Sequence, residues 1–286
     1  MTDLHIDDEQ VDEPKKVRGL AIAILAVLAV AAGVYYLVFV KKPAAPAATL
    51  EPPAVSVTPA GGEKVPAAGL GEPLAFPAVA LGESDQAVRE FAAALSTNPD
   101  FARWLLTKDL IRKFVVSVDN LANGLSPKPH VDFFSPSEPF RVVRTKKGML
   151  VDEATYSRYD PVVGVALSVD AAAAARLYRA AKPLLQEAYR DLGYPGVDFE
   201  DTLVRAMAEL LETPVVEGPV VLEKKILSYA MSDEALEALS PAQKQLFRMG
   251  PKGVRAVHGK IRELAAALGV PESRLPQTKT YTPRAE

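Results

Sequence analysis

The chain of 286 residues contains no cysteine. That removes disulfide frameworks, thiolate metal sites, iron–sulfur ligation and cysteine nucleophiles together. Histidine is scarce, with His5, His130 and His258 too scattered for a histidine-rich metal site. Trp104 is the sole tryptophan, which excludes a carbohydrate platform built on several. Nor is there a surplus of one charge. Lys plus Arg number 33 against 36 Asp plus Glu, a net charge of -3. A dedicated nucleic-acid binder needs a concentrated cationic excess to neutralise phosphates. Neither a nucleic-acid partner nor a cofactor is expected.

What the chain does have is an uncharged stretch from Gly19 to Val40. As a helix it would rise roughly 33 Å, matching a hydrocarbon core of about 30 Å. Twelve of its residues are Leu, Ile, Val or Phe, together contributing about −4 to −7 kcal/mol toward insertion. Tyr35 and Tyr36 stand near one end, and Lys15, Lys16, Arg18, Lys41 and Lys42 mark the edges. A cleaved signal peptide could end at Ala29-Val30-Ala31, but the apolar run continues to Val40 and the preceding tail is long and acidic. A buried core helix of this length rarely lacks a polar stripe. The reading is therefore a transmembrane helix over 19–40 with the lipid bilayer as its partner. Three basic residues before it against two after favour the N-terminus inside and the bulk of the chain outside the cytoplasm.

Residues 1–18 then form an acidic tail, and 41–82 a Pro/Ala-rich disordered linker too poor in large apolar residues to fold alone. A helical globular domain is expected over 83–270 and a flexible tail over 271–286. The fold class is mostly α with a small β-hairpin. Ser84 is placed to cap a helix to Leu95, Asn98-Pro99 to start the next, and Thr107 to cap a third. On that third helix Leu110, Ile111, Phe114, Val115, Val118 and Leu121 share one face, with Gly124 as its stop. Phe140–Val143 and Met149–Val151, joined at Lys147-Gly148, read as a hairpin. Asp170 caps a run from Ala171 to Leu192 in which Pro183 is expected to kink or split the helix. Asp198 caps a helix through Leu211, and 219–229 reads as extended. Ser232 opens a further helix, Ser240-Pro241-Ala242-Gln243 is a capping box, and the last helix runs from Gly250-Pro251 to Leu268.

Several blocks resemble a bacterial membrane-anchored family catalogued as domain of unknown function three thousand and fourteen. They are Asp109 through Phe114 with Val118-Asp119-Asn120, Arg158-Tyr159-Asp160-Pro161, Leu184 through Tyr189 with Leu192-Gly193-Tyr194-Pro195, and Gln243 with Arg248-Met249-Gly250-Pro251. The resemblance covers about Asp85 to Leu268. It implies a bacterial source and a single-pass anchor, and it brings neither an activity nor catalytic residues.

Two groups stand out as binding candidates. Between Pro241 and Val270 six Lys or Arg oppose Glu263 alone, and Arg255, His258 and Arg262 line up beside the core face of the last helix. This stripe suits an anionic lipid, glycan or partner, or else pairs with the acidic stretch Asp198–Leu239. Tyr156, Arg158, Tyr159 and Asp160 form a polar–aromatic cluster that suits a ligand or fastens the hairpin to the helices. A phosphate loop at Gly253–Lys260 is rejected, because five residues separate the glycines and Ile261 follows the lysine. His130 has no triad or metal-site company. Glu187 with Asp191, and Asp198 with Asp201, are the carboxylate pairs that acid–base catalysis would need. No catalytic or metal-binding residue is assigned. The expected function is a non-catalytic helical binding or scaffold domain, tethered to the bacterial inner membrane and largely periplasmic, with a protein or envelope partner. The alternative is a carboxylate-dependent envelope hydrolase or transferase.

Overall fold

The computed structural model describes residues 74–128, 136, 138–146, 148–226 and 228–283. The acidic tail, the run 19–40, most of the Pro/Ala segment, Lys147 and His130 lie outside them. The described chain is mostly helical with a small antiparallel sheet. Its helices are α1 (Asp85–Ala92), α2 (Pro99–Trp104), α3 (Leu110–Ala122), α4 (Asp160–Ser168) and α5 (Ala171–Asp191). They continue with α6 (Phe199–Leu211), α7 (Glu234–Glu237), α8 (Pro241–Phe247) and α9 (Gly250–Leu268). Strands β1 (Val142–Thr145), β2 (Gly148–Val151), β4 (Val221–Lys224) and β5 (Tyr229–Met231) form one sheet in the order β1-β2-β4-β5. Strands β3 (Val215–Val216) and β6 (Thr280–Tyr281) pair in parallel.

Most helix starts follow local chemistry. A side-chain oxygen at the N-cap accepts one of the first backbone N–H groups, which have no partner within the helix. Asn98 accepts from Asp100, Asp170 from Ala173, and Asp198 from Glu200. Ser240 and Gln243 exchange both bonds of the capping box, each at 3.1 Å.

The main core lies where α1, α3, α5, α6 and α9 meet. Ile111, Val115 and Val118 of α3 pack with Leu184, Leu185 and Tyr189 of α5, Leu203, Met207 and Leu211 of α6, and Ile261 of α9. Phe199 stacks its edge toward Phe114 at 6.1 Å and lies 5.4 Å from Tyr189, which in turn stacks on Tyr194 at 4.7 Å. A second cluster holds the sheet to the helices, with Val216, Val220, Leu222, Leu236 and Phe247 at its centre.

Several expectations are corrected. Ser84 lies before α1 but its hydroxyl donates to Leu81 O at 2.8 Å and caps nothing, and a 3-10 turn over Ala93–Leu95 follows α1. Thr107 does not cap α3. The N-cap is Asp109, in the left-handed region at φ 57, and the free N–H groups of Asp109 and Leu110 each donate to the Asp85 carboxylate at 2.8 Å. The cap thus comes from a residue on another helix. Asp233, one residue later than Ser232, caps α7. Pro183 does not split α5, which runs as one 21-residue helix because Ala181, Leu184 and Leu185 bury its neighbouring turns in the core. The described part of the expected tail, 271–283, is docked: Val215 donates to Lys279 O at 2.8 Å, Glu217 to Tyr281 O at 2.9 Å, and the Tyr281 hydroxyl to Asp233 at 2.8 Å.

The linker expected to reach residue 82 also ends earlier, since Leu81 is buried and Phe76 lies 5.3 Å from Phe91. The segment 219–229 holds β4 and the start of β5 and widens the expected hairpin into a four-stranded sheet. Among the described residues no single helix is long and apolar enough to cross a membrane. Glu153–Ser168 and Ala171–Asp191 together meet that length but are bent by 72° at their junction.

Candidate functional site

The two candidate groups end in different surroundings. On α9, His258 is buried. Its Nε2 lies 3.0 Å from Leu210 O, which can only accept, so the neutral ring carries its proton there. Nδ1, 3.2 Å from the Thr278 hydroxyl, is then left to accept. Burial holds the imidazole below its ordinary range, and the Arg262 charge adds to this against the Leu210 hydrogen bond. Arg255 pairs with Glu217, and Arg262 with Glu272 and the Pro276 carbonyl. Lys260 donates to Val169 O at 2.9 Å and meets Glu263 at 2.6 Å. The stripe is used to fasten β3, α4 and the C-terminal segment to α9. Pairing with the acidic stretch, the second of its two readings, describes Arg255.

Three of the other group, Tyr156, Arg158 and Tyr159, line a cleft of about 1090 Å³ between the sheet, the 3-10 turn Glu153–Tyr159, α4 and the α8–α9 corner. Buried Val165, Leu222 and Leu246 contribute its apolar lining. Phe140, Tyr156, Tyr159 and Tyr229 add aromatic wall. Arg158 organises that wall. Its Nε donates to Thr155 O at 2.9 Å and its Nη1 to Glu138 O at 3.0 Å, while the guanidinium sits 5.5 Å from the ring centres of both Phe140 and Tyr159. Phe140 in turn lies 6.0 Å from Tyr229 on β5. Asp160 starts α4 on the exposed surface and does not pair with Arg158 among the described contacts.

Tyr156 is fixed from below by Gly250. This glycine has φ +71, and a Cβ built on it would meet Tyr156 Cγ at 2.6 Å, so only glycine satisfies both the turn and the approach. Burial, with Glu153 nearby, pushes the Tyr156 hydroxyl up to about 12. The blocks that carry the family resemblance meet in pairs. Arg158–Pro161 and Gln243–Pro251 both contribute to the cleft. Asp109–Asn120 and Leu184–Pro195 meet in the main core, where Asp119 is buried beside the Tyr189–Thr202–Arg205 hydrogen bonds. Burial raises the Asp119 carboxyl above the usual range, against a hydrogen bond from Asn123, the Arg205 charge and a hydrogen bond from Tyr189.

Phe140, Tyr229, Lys128 and Arg248 also line the cleft; the sequence set Phe140 in the hairpin and Arg248 in a cationic run but marked none of the four as a binding candidate. They come from four separate segments, so no local spacing joins them. The candidate carboxylates are tied to different partners. Asp191 lies 3.6 Å from Arg112, Asp198 caps α6, Asp201 lies 3.3 Å from Arg274, and Glu187 is exposed on α5. No group of three or more His, Asp or Glu suited to a metal ion occurs among the described residues. No curated protein and no solved structure matches the chain. The family described as protein of unknown function (DUF3014) matches residues 110–265, more than half of the chain and, Asp109 apart, all four blocks around the core and the cleft, and the chain belongs to that family.

Proposed function

We propose that this chain is a single-pass bacterial inner-membrane protein whose helical domain, on the periplasmic side, is a non-catalytic binding or scaffold module. Residues 19–40 would anchor it, and the Pro/Ala-rich segment would hold the domain at a distance. The cleft carries the binding half of this reading. Its apolar floor, aromatic wall and few convergent polar groups are what capture of a protein or envelope component requires. The polar groups there are suited to holding rather than to proton transfer. Tyr156 stays protonated near neutral pH, Arg158 is committed to two carbonyls, and Lys244 is paired with Glu237 at 2.8 Å. The acids of the alternative, hydrolytic reading are bound to separate cations or left exposed.

The test joins topology to contact. A reporter active only outside the cytoplasm is fused after Glu286, and a photo-crosslinking residue replaces Tyr229 in the cleft or Glu187 on α5. The reading expects an active reporter and an adduct of defined mass from position 229 but not from 187. A silent reporter on a stably expressed fusion would reverse the orientation. No adduct from either position would remove the cleft as the binding site.

A further inference from the structure

Both hairpins of the four-stranded sheet turn at the same end. Thr145 pairs with Gly148 across the β1–β2 turn, and Met149 of β2 pairs with Leu222 of β4. The antiparallel register therefore carries β4 toward that turn, so that Lys224, two residues beyond Leu222, lies past the level of Gly148. Lys224 pairs with Tyr229, and the β4–β5 turn follows immediately. This end of the sheet gathers Arg144, Lys146, Lys224 and Lys225, all exposed. Glu223 is the one acid within the four strands, and it meets Lys225 at 2.8 Å. Arg144, Lys146 and Lys224 have no acid within ion-pair distance among the described residues. Ile226, two residues beyond Lys224, is 97% exposed.

An isoleucine held clear of every core does nothing for folding. Beside Lys225, which Glu223 partners, and near Lys146 and Lys224, which have no acid within ion-pair distance among the described residues, it has the composition of an interfacial contact: the apolar side chain enters the acyl boundary while the ammonium groups stay among the headgroups. We propose that this end of the sheet docks on an anionic phospholipid bilayer. The inference rests on the anchored reading above, because a tethered domain meets that surface at high effective concentration. The tether does not forbid the contact, since residues 41–73 reach at most on the order of 100 Å at about 3.1 Å each. Charge complementarity selects a surface of negative headgroups, and the exposed Ile226 favours lipid over a soluble polyanion.

The chain has no native cysteine, so an environment-sensitive dye on Ser228→Cys reports this turn alone. The full chain is reconstituted into phosphatidylcholine vesicles with or without phosphatidylglycerol. Docking predicts a blue-shifted emission in the anionic vesicles that fades at high salt. In Lys224→Gln/Lys225→Gln the ratio of docked to free domain should fall roughly 30-fold, at about fivefold per cation. Equal emission in both lipids, or emission indifferent to the charge variant, would overturn the proposal. So would a shift produced by polyglutamate or an oligonucleotide and not by the anionic lipid. Failure of the anchor is read separately: an unanchored chain does not float with neutral vesicles, whereas an anchored chain that does not dock floats with both and shows no shift.

Discussion

The cations of α9 and those of the sheet's two hairpin turns differ in what surrounds them. On α9, Arg255, Lys260 and Arg262 each end on an acid and, for the last two, also on a backbone carbonyl from another part of the chain. At the sheet end, Arg144, Lys146 and Lys224 have no such acid among the described residues, and Ile226 on the same end is exposed. Pro241–Val270 carries the larger excess of cations over acids in sequence, yet the charges of Arg255, Lys260 and Arg262 are taken up within the fold. At the hairpins only Lys225 is so engaged among the described residues. A local excess of charge therefore locates a binding surface only after its partners within the fold have been counted.

The largest break in this contrast is expected at the start of α9. Gly250→Ala places a Cβ against Tyr156 at a left-handed backbone position. Overpacking and backbone strain together should cost about 3 kcal/mol or more, a drop of roughly 6 °C or more in the unfolding midpoint for a domain of this size. Calorimetry of the full chain checks it, and the cleft contact at Tyr229 should weaken in parallel. Next comes Arg262→Ala, which releases Glu272 and the Pro276 carbonyl. A loss of about 1–2 kcal/mol is expected. Amide exchange at Val215 and Glu217, which donate to Lys279 and Tyr281, should accelerate before that of the main core.

His258 gives a pH signature to the same region. Its folded pKa lies below the ordinary 6.5, so the unfolded chain takes up the proton more readily. The contribution is complete above about 6.5 and is lost as pH falls below it, with a limiting slope of about 1.4 kcal/mol per pH unit. Melting between pH 7.5 and 5.5 should show the decline, and His258→Gln should flatten it. The smallest effect on stability belongs to the hairpin turns. Lys224→Gln/Lys225→Gln should leave the midpoint within about 0.5 kcal/mol of the parent, while abolishing most of the lipid response.

What could be read from the sequence was what short spacing controls. Asn98, Asp170, Asp198 and Ser240 cap helices whose N–H groups lie within three residues of them. The face of α3 followed in part from its three-to-four periodicity: Ile111, Val115 and Val118 are buried, Leu110 and Leu121 half-buried, and Phe114 at the edge of the face is exposed. Contacts set by tertiary geometry were not legible. Asp85 caps α3 from 24 residues away, β2 joins β4 across a long stretch of helix, and β6 finds β3 beyond the last helix. The candidate site divided in the same way. Tyr156, Arg158 and Tyr159 are neighbours in sequence and in the cleft, whereas Phe140, Tyr229 and Arg248 reach it only through folding. Burial of His258 was hidden because the residues that cover it, Leu210 and Thr278, lie on another helix and in the C-terminal segment.

The most direct test compares two charge reversals in one preparation, the dye-labelled full chain in anionic vesicles. Lys224→Glu/Lys225→Glu should abolish the blue shift and leave the unfolding midpoint in place. Arg255→Glu/Arg262→Glu should lower the midpoint and, below it, leave the shift intact. If the α9 pair abolishes the shift in the folded domain while the hairpin pair does not, the assignment of these two cation groups is wrong.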